Sequence, residues 1–216
     1  MSRFELIRKR MVEQQLSDIA DARVLQAMAE VPRHSFVDEV LRPRAYDDGP
    51  LPIGKKQTIS QPWIVARMTE LLCLEGDETV LEVGTGSGYQ AAVLSSLCRR
   101  VVTLERHGDL ARDAGRRIEA LGMRNITVLA SDGSLGRSEY GPYDAILVTA
   151  AAPEVPEPLL NQLASGGRLV VPLGDLHSQV LHRFTRDGDS YSLRDEAFEA
   201  CRFVPLLGRL GFQEER

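Results

Sequence analysis

The chain has little of what most specialised protein classes require. Three of its 216 residues are cysteine, Cys73, Cys98 and Cys201. Their number is odd, their spacing does not suit a metal, and each sits in an apolar stretch. That argues against a disulfide framework or zinc site and predicts reduced packing residues. The four histidines, His34, His107, His177 and His182, form no cluster, so no metal is expected. No apolar run is as long as a membrane span. The segment Met1 to Leu6 lacks the apolar centre of a signal peptide. The expectation is a cytoplasmic protein with no membrane partner. Positive charge is also short. Twenty-six Lys and Arg against 31 Asp and Glu leave a net charge of −5, unfavourable for a broad nucleic-acid footprint. Repeats and low-complexity tracts are missing. With 43% hydrophobic and 26% charged residues, what is left is an ordinary globular composition.

Against that background one stretch stands out, Val80-Leu81-Glu82-Val83-Gly84-Thr85-Gly86-Ser87-Gly88-Tyr89. An apolar run ends in an acid, three glycines alternate with small polar residues, and an alanine-rich helical stretch runs from Gln90 to Leu97. Strand, glycine-rich turn and helix make the nucleotide-binding corner of a doubly wound α/β fold. The spacing then separates ligands. A dinucleotide fingerprint reads G-x-G-x-x-G, with pyrophosphate over the helix N-terminus. Here the glycines fall as G-x-G-x-G behind Glu82, the pattern of methyltransferases that use S-adenosylmethionine. That cofactor has a cationic sulfonium and no phosphate, which a carboxylate at the strand end suits. A tight strand–helix turn with no ligand would use the same glycines.

The next elements of the chain weigh against a ligand-free turn. Arg100 to Glu105 reads as a second buried strand ending in an acid. Glu105 lies about 20 residues past the first glycines, where Rossmann-type folds place a carboxylate on ribose hydroxyls. An amphipathic helix from about Asp109 to Leu121, closed by Gly122, leads to a strand from Asn125 to Ala130. Asp132-Gly133 lies at its carboxyl end. Three acids on three successive strands converge on one crevice. Further strands are expected at Tyr143 to Thr149 and Arg168 to Pro172, with a short helix from Pro156 to Leu163 between them. Val180 to Thr185 and Tyr191 to Phe198 read as antiparallel strands around Asp187-Gly188-Asp189. Upstream, helices span Arg3 to Leu16 and Asp21 to Glu30, and Val31 to Ser60 is a long loop whose apolar residues imply order. The whole is expected to be a single α/β domain with a doubly wound, Rossmann-like sheet. In it, residues 1–61 form N-terminal helices and an active-site loop, 62–175 the cofactor core, and 176–216 the C-terminal strands.

The loop carries a more restricted signature. Val31-Pro32-Arg33-His34-Ser35-Phe36-Val37, Ala45-Tyr46-Asp47-Asp48, Leu51-Pro52-Ile53-Gly54 and above all Gln57-Thr58-Ile59-Ser60-Gln61-Pro62 resemble the protein-L-isoaspartate O-methyltransferase family. The likeness runs on through Val65-Ala66-Arg67-Met68, the glycine corner, Asp132-Gly133, Val148-Thr149-Ala150-Ala151 and Arg202-Phe203-Val204-Pro205-Leu206. It implies a repair enzyme that methylates the free α-carboxylate of isoaspartyl residues in damaged proteins, the ester then closing to a succinimide. It implies S-adenosylmethionine as cofactor, held by Glu82, Gly84, Thr85, Gly86, Gly88, Glu105, Asp132 and Gly133. Ser60 is implied at the reacting carboxylate, with Thr58, Ile59, Thr149 and Ala150 forming the acceptor wall. The expected partners are isoaspartyl proteins and peptides, and the expected state a monomer. Local sequence offers Ser60 a second role, the N-cap of the helix that begins at Pro62. Two alternatives stay open at this point: a methyltransferase for RNA or a small molecule, and a cofactor-binding protein without catalysis.

One local departure separates this chain from the bacterial pattern, Ile-Gly-x-Gly-Gln-Thr-Ile-Ser. Here the stretch reads Ile53-Gly54-Lys55-Lys56-Gln57-Thr58-Ile59-Ser60. Lysine at a glycine position implies either a different bend or no need for a positive φ. Two ammonium groups near Ser60 would also attract an acidic peptide over long range.

Overall fold

The computed structural model describes residues 2–188 and 192–213. Helix α1 (Arg3–Gln15) opens on a capping box in which Ser2 Oγ accepts from the Glu5 amide and the Glu5 carboxylate accepts from the Ser2 amide. Helix α2 (Ala22–Glu30) starts at Asp21, whose carboxylate accepts from the Arg23 amide at 2.9 Å. The segment from Val31 to Ser60 is more regular than a loop. It holds two 3₁₀ turns, Arg33–Phe36 and Glu39–Arg44, and a hairpin of β1 (Leu51–Gly54) and β2 (Gln57–Ile59). The hairpin pairs Leu51 with Ile59 and Pro52 with Thr58. Helix α3 (Pro62–Leu71) comes next, with Pro62 in its first turn. Its cap is Gln61, not Ser60, and Gln61 makes no side-chain cap bond.

The remaining strands form one seven-stranded sheet in the order β5-β4-β3-β6-β7-β8-β9, from β3 (Thr79–Val83), β4 (Arg100–Glu105), β5 (Ile126–Ala130), β6 (Tyr143–Val148), β7 (Leu163–Gly174), β8 (Gln179–Arg186) and β9 (Leu193–Cys201). Strands β3 to β7 pair in parallel, and β8 and β9 extend the sheet antiparallel. Parallel strands need both faces covered, which is why all five residues of β3 are buried. Register sorts the faces. Val80, Val101 and Ala145 align and pack under α3 and α4 (Tyr89–Ser95), while Leu81, Val102 and Ile146 align on the other face around Leu159 of α6 (Glu157–Asn161). Helix α5 (Gly108–Ala120) contacts β4 and β5. From β3 the chain moves one way to β4 and β5, then returns on the other side of β3 as β6. The ends of β3 and β6 therefore flank the switch point where open α/β sheets bind ligands.

Several expected boundaries shift. Helix α3, whose helical pattern in sequence runs on to Leu74, stops at Leu71, because Cys73 takes a left-handed φ of 48°, and that cysteine is exposed rather than packed. Strand β7 is longer than Arg168 to Pro172, since its register restarts after an irregularity opposite β6. The expected turn and strand around Asp187 reach Asp189 and Tyr191, which lie outside the described residues. Phe203 to Leu206 is no sheet strand but runs beside the end of β6, bridging Ala151 to Pro205.

At the hairpin tip, Lys55 and Lys56 both occupy the left-handed region, with φ of 52° and 58°. The chain keeps the tight two-residue bend and lets two lysines bear it. Lys55 Nζ also lies 3.5 Å from Asp109 Oδ2, so one of the two ammonium groups has a local partner. A left-handed L-residue costs roughly 1–2 kcal/mol, and a glycine returns about half of that as extra freedom in the unfolded chain. Lys56→Gly should therefore raise stability by about 0.5–1 kcal/mol in denaturant melts. A lower midpoint would mean that Lys56 makes a compensating contact.

Candidate active site

The glycine corner is held from two sides. Gly84, Gly86 and Gly88 have φ of 102°, 52° and 92°, a conformation that side-chain-bearing residues rarely take. From β4, the Leu104 carbonyl accepts from the amides of Gly84 (2.8 Å) and Thr85 (3.2 Å). From β6, the Thr149 amide donates to the Val83 carbonyl at 2.9 Å, and its hydroxyl donates to the Gly84 carbonyl at 2.7 Å. A Cβ on Gly84 would collide with that hydroxyl, so no other residue fits. Gly86 is different, since only the Cδ1 of Ile53 comes near a Cβ placed there. Its amide donates to Glu105 Oε2 at 2.8 Å, and the His107 amide donates to the other oxygen at 2.9 Å. The Glu105 carboxylate is thus oriented by two backbone donors, with lone pairs left on both oxygens.

Above this corner lies a crevice of about 820 Å³, open mouth included. Ser60, Gly84, Thr85, Gly86, Glu105, Gly133, Thr149 and Ala150 line it, together with Thr58 and Ile59. Gly133 is packed so closely on Val83 that a Cβ would overlap it. Ile59 points its side chain into the core and is almost fully buried, which leaves its backbone for the crevice. Thr85 likewise turns its hydroxyl inward, 2.6 Å from that of Thr103.

Two acids named from sequence are tied into the fold itself. Glu82 has no exposed surface and does not line the crevice. It lies behind the corner, where the Thr103 hydroxyl donates to its Oε2 at 2.5 Å, so Thr85 must be the donor to Thr103. Its Oε1 has no partner. Burial pushes its pKa up to about 8, with Glu105 adding to the rise against the Thr103 bond. At neutral pH it is a largely protonated acid, and no carboxylate that could face a sulfonium. Alternation along the strand explains this, since Val83 faces away from the side that holds Glu82. Asp132 caps the turn Gly133–Leu135, accepting from the Ser134 amide and hydroxyl, and its other oxygen accepts from the Arg209 amide at 2.8 Å. Burial raises its pKa, but the Arg209 and Ser134 hydrogen bonds outweigh that and hold it below the usual carboxylate value. Asp132 therefore ties down the C-terminal segment, whose residues Val204 to Leu207 form a wall of the crevice.

A second, wider groove of about 1290 Å³ opens beside the crevice, lined by Trp63, Leu176, Arg202 and Phe203 among others. Thr58, Ser60, Thr149, Val204 and Pro205 line both spaces. The Ser60 carbonyl is held by Arg33, but its hydroxyl has no hydrogen bond among the described residues. The residues that sequence reading missed are structural supports. Thr103 was legible as a lone polar residue inside Val-Val-Thr-Leu. Nothing local marked Arg33 as buried, or Val204 to Leu207 as crevice wall.

The corner fits the cofactor that its spacing implies. Its glycines leave the backbone bare at Gly86, and the Glu105 carboxylate lines the crevice with acceptor lone pairs free. Fold and site thus define an S-adenosylmethionine-dependent methyltransferase. The comparisons narrow this. Residues 5–211 match the family model "Protein-L-isoaspartate(D-aspartate) O-methyltransferase (PCMT)". Protein-L-isoaspartate O-methyltransferases of Geobacter metallireducens and Trichlorobacter lovleyi are 52% and 53% identical, covering 98% and 99% of this chain and 99% of each relative. A solved protein-L-isoaspartate O-methyltransferase superposes with TM-score 0.85 at 32% identity, over 94% of this chain and 67% of that one. A Plasmodium falciparum structure, described as a putative member in complex with S-adenosyl-L-homocysteine, gives 0.78 at 27% identity, over 93% and 98%. The chain belongs to the protein-L-isoaspartate O-methyltransferase family.

Two variants test the corner. Gly86→Val has room but is strained at a φ of 52°, so it should melt lower than wild type, and the folded protein should lose measurable cofactor binding in calorimetric titration because the backbone can no longer come close. Near-normal affinity would contradict this. For Glu82, a raised folded pKa means that the folded state holds the proton more tightly than the unfolded one. Stability is then complete below the ordinary value of about 4.5 and is progressively lost as pH rises towards about 8. Glu82→Gln removes that titration. Its melting temperature relative to wild type should climb between about pH 5 and pH 8.5, and a difference independent of pH would refute the assignment.

Proposed function

We propose that this protein transfers a methyl group from S-adenosylmethionine to the free α-carboxylate of L-isoaspartyl residues, starting their repair through a succinimide. The observation that carries the reading is Ser60. Its hydroxyl is uncommitted, and it stands where the cofactor crevice meets an outer groove wide enough for a peptide. When bound, the cofactor supplies an electrophilic methyl on a good leaving group. The acceptor carboxylate is already ionised at neutral pH and needs no base. The chain's contribution is then alignment and exclusion of water. Ser60 donates to the acceptor carboxylate and fixes its approach, Thr58 and the Ile59 backbone support the peptide, and Glu105 holds the ribose hydroxyls. Thr149 and Ala150 close the space between donor and acceptor with small side chains.

An RNA or small-molecule acceptor is less well served. Steering an exocyclic amine needs a polar side chain after β6, and the one hydroxyl there, on Thr149, is already committed to Val83 and Gly84. The same reading makes the protein one functional unit, working as a monomer in the cytoplasm on damaged proteins, without a nucleic-acid partner.

The test is methylation of an isoaspartyl peptide beside its normal aspartyl twin, with labelled cofactor. Label should enter only the isoaspartyl peptide, and equal labelling or none would overturn the reading. Because Gln61 and not Ser60 caps α3, Ser60→Ala should leave melting within about 0.5 kcal/mol of wild type. It should slow methylation about 10- to 100-fold, equivalent to losing ~1.5–3 kcal/mol of hydrogen bonding to a charged group. A variant that melts lower and works normally would reduce Ser60 to a structural residue.

A further inference from the structure

The described core contains one arginine with no exposed surface, Arg33, in the first 3₁₀ turn. Among the described residues no carboxylate pairs with it. Its Nε donates to the Ala45 carbonyl at 2.7 Å, and one terminal nitrogen donates to the Ser60 carbonyl at 2.6 Å. The other terminal nitrogen is buried without a partner. Its Cζ sits 4.9 Å from the ring centre of Tyr89. Burying a guanidinium without a counter-ion is strongly unfavourable, and a leucine or methionine would fill the space at less cost. An arginine here has to return something that an apolar residue cannot.

Its three contacts indicate what that is. Tyr89 comes directly after Gly88, opens α4 and lines the cofactor crevice. Ser60 ends the hairpin segment on the acceptor side. The Arg33 side chain touches both, with Phe36 packed edge-on against Tyr89 behind it. A planar fork reaches two carbonyls in different directions while its face rests on an aromatic ring, and the single ammonium of a lysine cannot do all three. A Ser60 backbone set by Arg33 against Tyr89 has its hydroxyl placed relative to the cofactor corner. Displacement of a reacting group by about 1 Å can cost about 10²-fold in rate.

We infer that Arg33 is a positioning residue for methyl transfer, which sets the Ser60 hydroxyl at a fixed place relative to the cofactor corner. The inference rests on the role given to Ser60 above. Arg33 acts on the acceptor side, so its loss should change turnover of the isoaspartyl peptide without changing affinity for the cofactor.

The experiment uses the full chain with Arg33→Lys and Arg33→Met, an isoaspartyl peptide as acceptor, and S-adenosylhomocysteine as the probe of cofactor affinity. Both variants should melt cooperatively. The Kd for S-adenosylhomocysteine should stay within about threefold of wild type, and kcat should fall about 10- to 100-fold, the range for misplacement of a reacting group. In a Ser60→Ala background, Arg33→Lys should cost less than about threefold further, because the group that it positions is already gone. Several results would overturn the inference: kcat unchanged in a folded Arg33→Met protein, additive losses in the double variant, equal losses of kcat and cofactor affinity, or failure of both single variants to fold. If wild type itself left the isoaspartyl peptide unmethylated, the fault would lie in the functional reading and not in Arg33.

Discussion

The Thr149 hydroxyl, donated to the Gly84 carbonyl at 2.7 Å, is the contact on which the working end of the sheet depends. It joins the ends of β3 and β6, through residues 65 apart in sequence that meet where the winding of the fold reverses. A loop with three positive φ angles has little intrinsic reason to hold one shape. Here the amides of Gly84 and Thr85 are bound to β4, and their neighbouring carbonyls are bound to β6. The corner is therefore stretched between two strands of a rigid parallel sheet before any ligand arrives. Preorganisation of this kind suits a reaction whose main demand is alignment.

Support beneath the corner is polar, and it is organised in lines. Thr85, Thr103 and Glu82 pass hydrogen bonds inward one after another, ending on a neutral acid instead of a charge. At the far rim, Asp132 keeps its charge and uses it to hold the backbone of the C-terminal segment. Two acids that look equivalent in sequence thus differ in ionisation, because one is sealed between strands and the other receives several donors near solvent.

How much of this was legible depends on the range of the forces involved. Strand β4, the glycine corner and α2 declared themselves through local pattern, because short-range sterics and periodicity fix them. Glu105 was placed at the crevice by its distance from the glycines alone, and it does line the crevice. Glu82 and Asp132 were read as ligand contacts because they shared its position near a strand end. Which face of the strand each occupies, and which distant amide it meets, are tertiary facts with no local mark. The hairpin of β1 and β2 was hidden for a related reason. Its turn is made by Lys55 and Lys56, residues that carry no turn signal. Arg33 looked like part of a motif, and only packing reveals that it is sealed inside.

The outer groove has a further property that comes from its lining. The chain has one tryptophan, and Trp63 stands on this groove with its indole N–H shared by both oxygens of Asp18 at 2.9 and 3.0 Å. It does not line the inner crevice. Indole emission is sensitive to a nearby carboxylate and to displaced water, so the molecule contains its own optical label on one compartment only. Anything that displaces water beside Trp63 should then change the emission of the unmodified protein, with no dye attached near the chemistry.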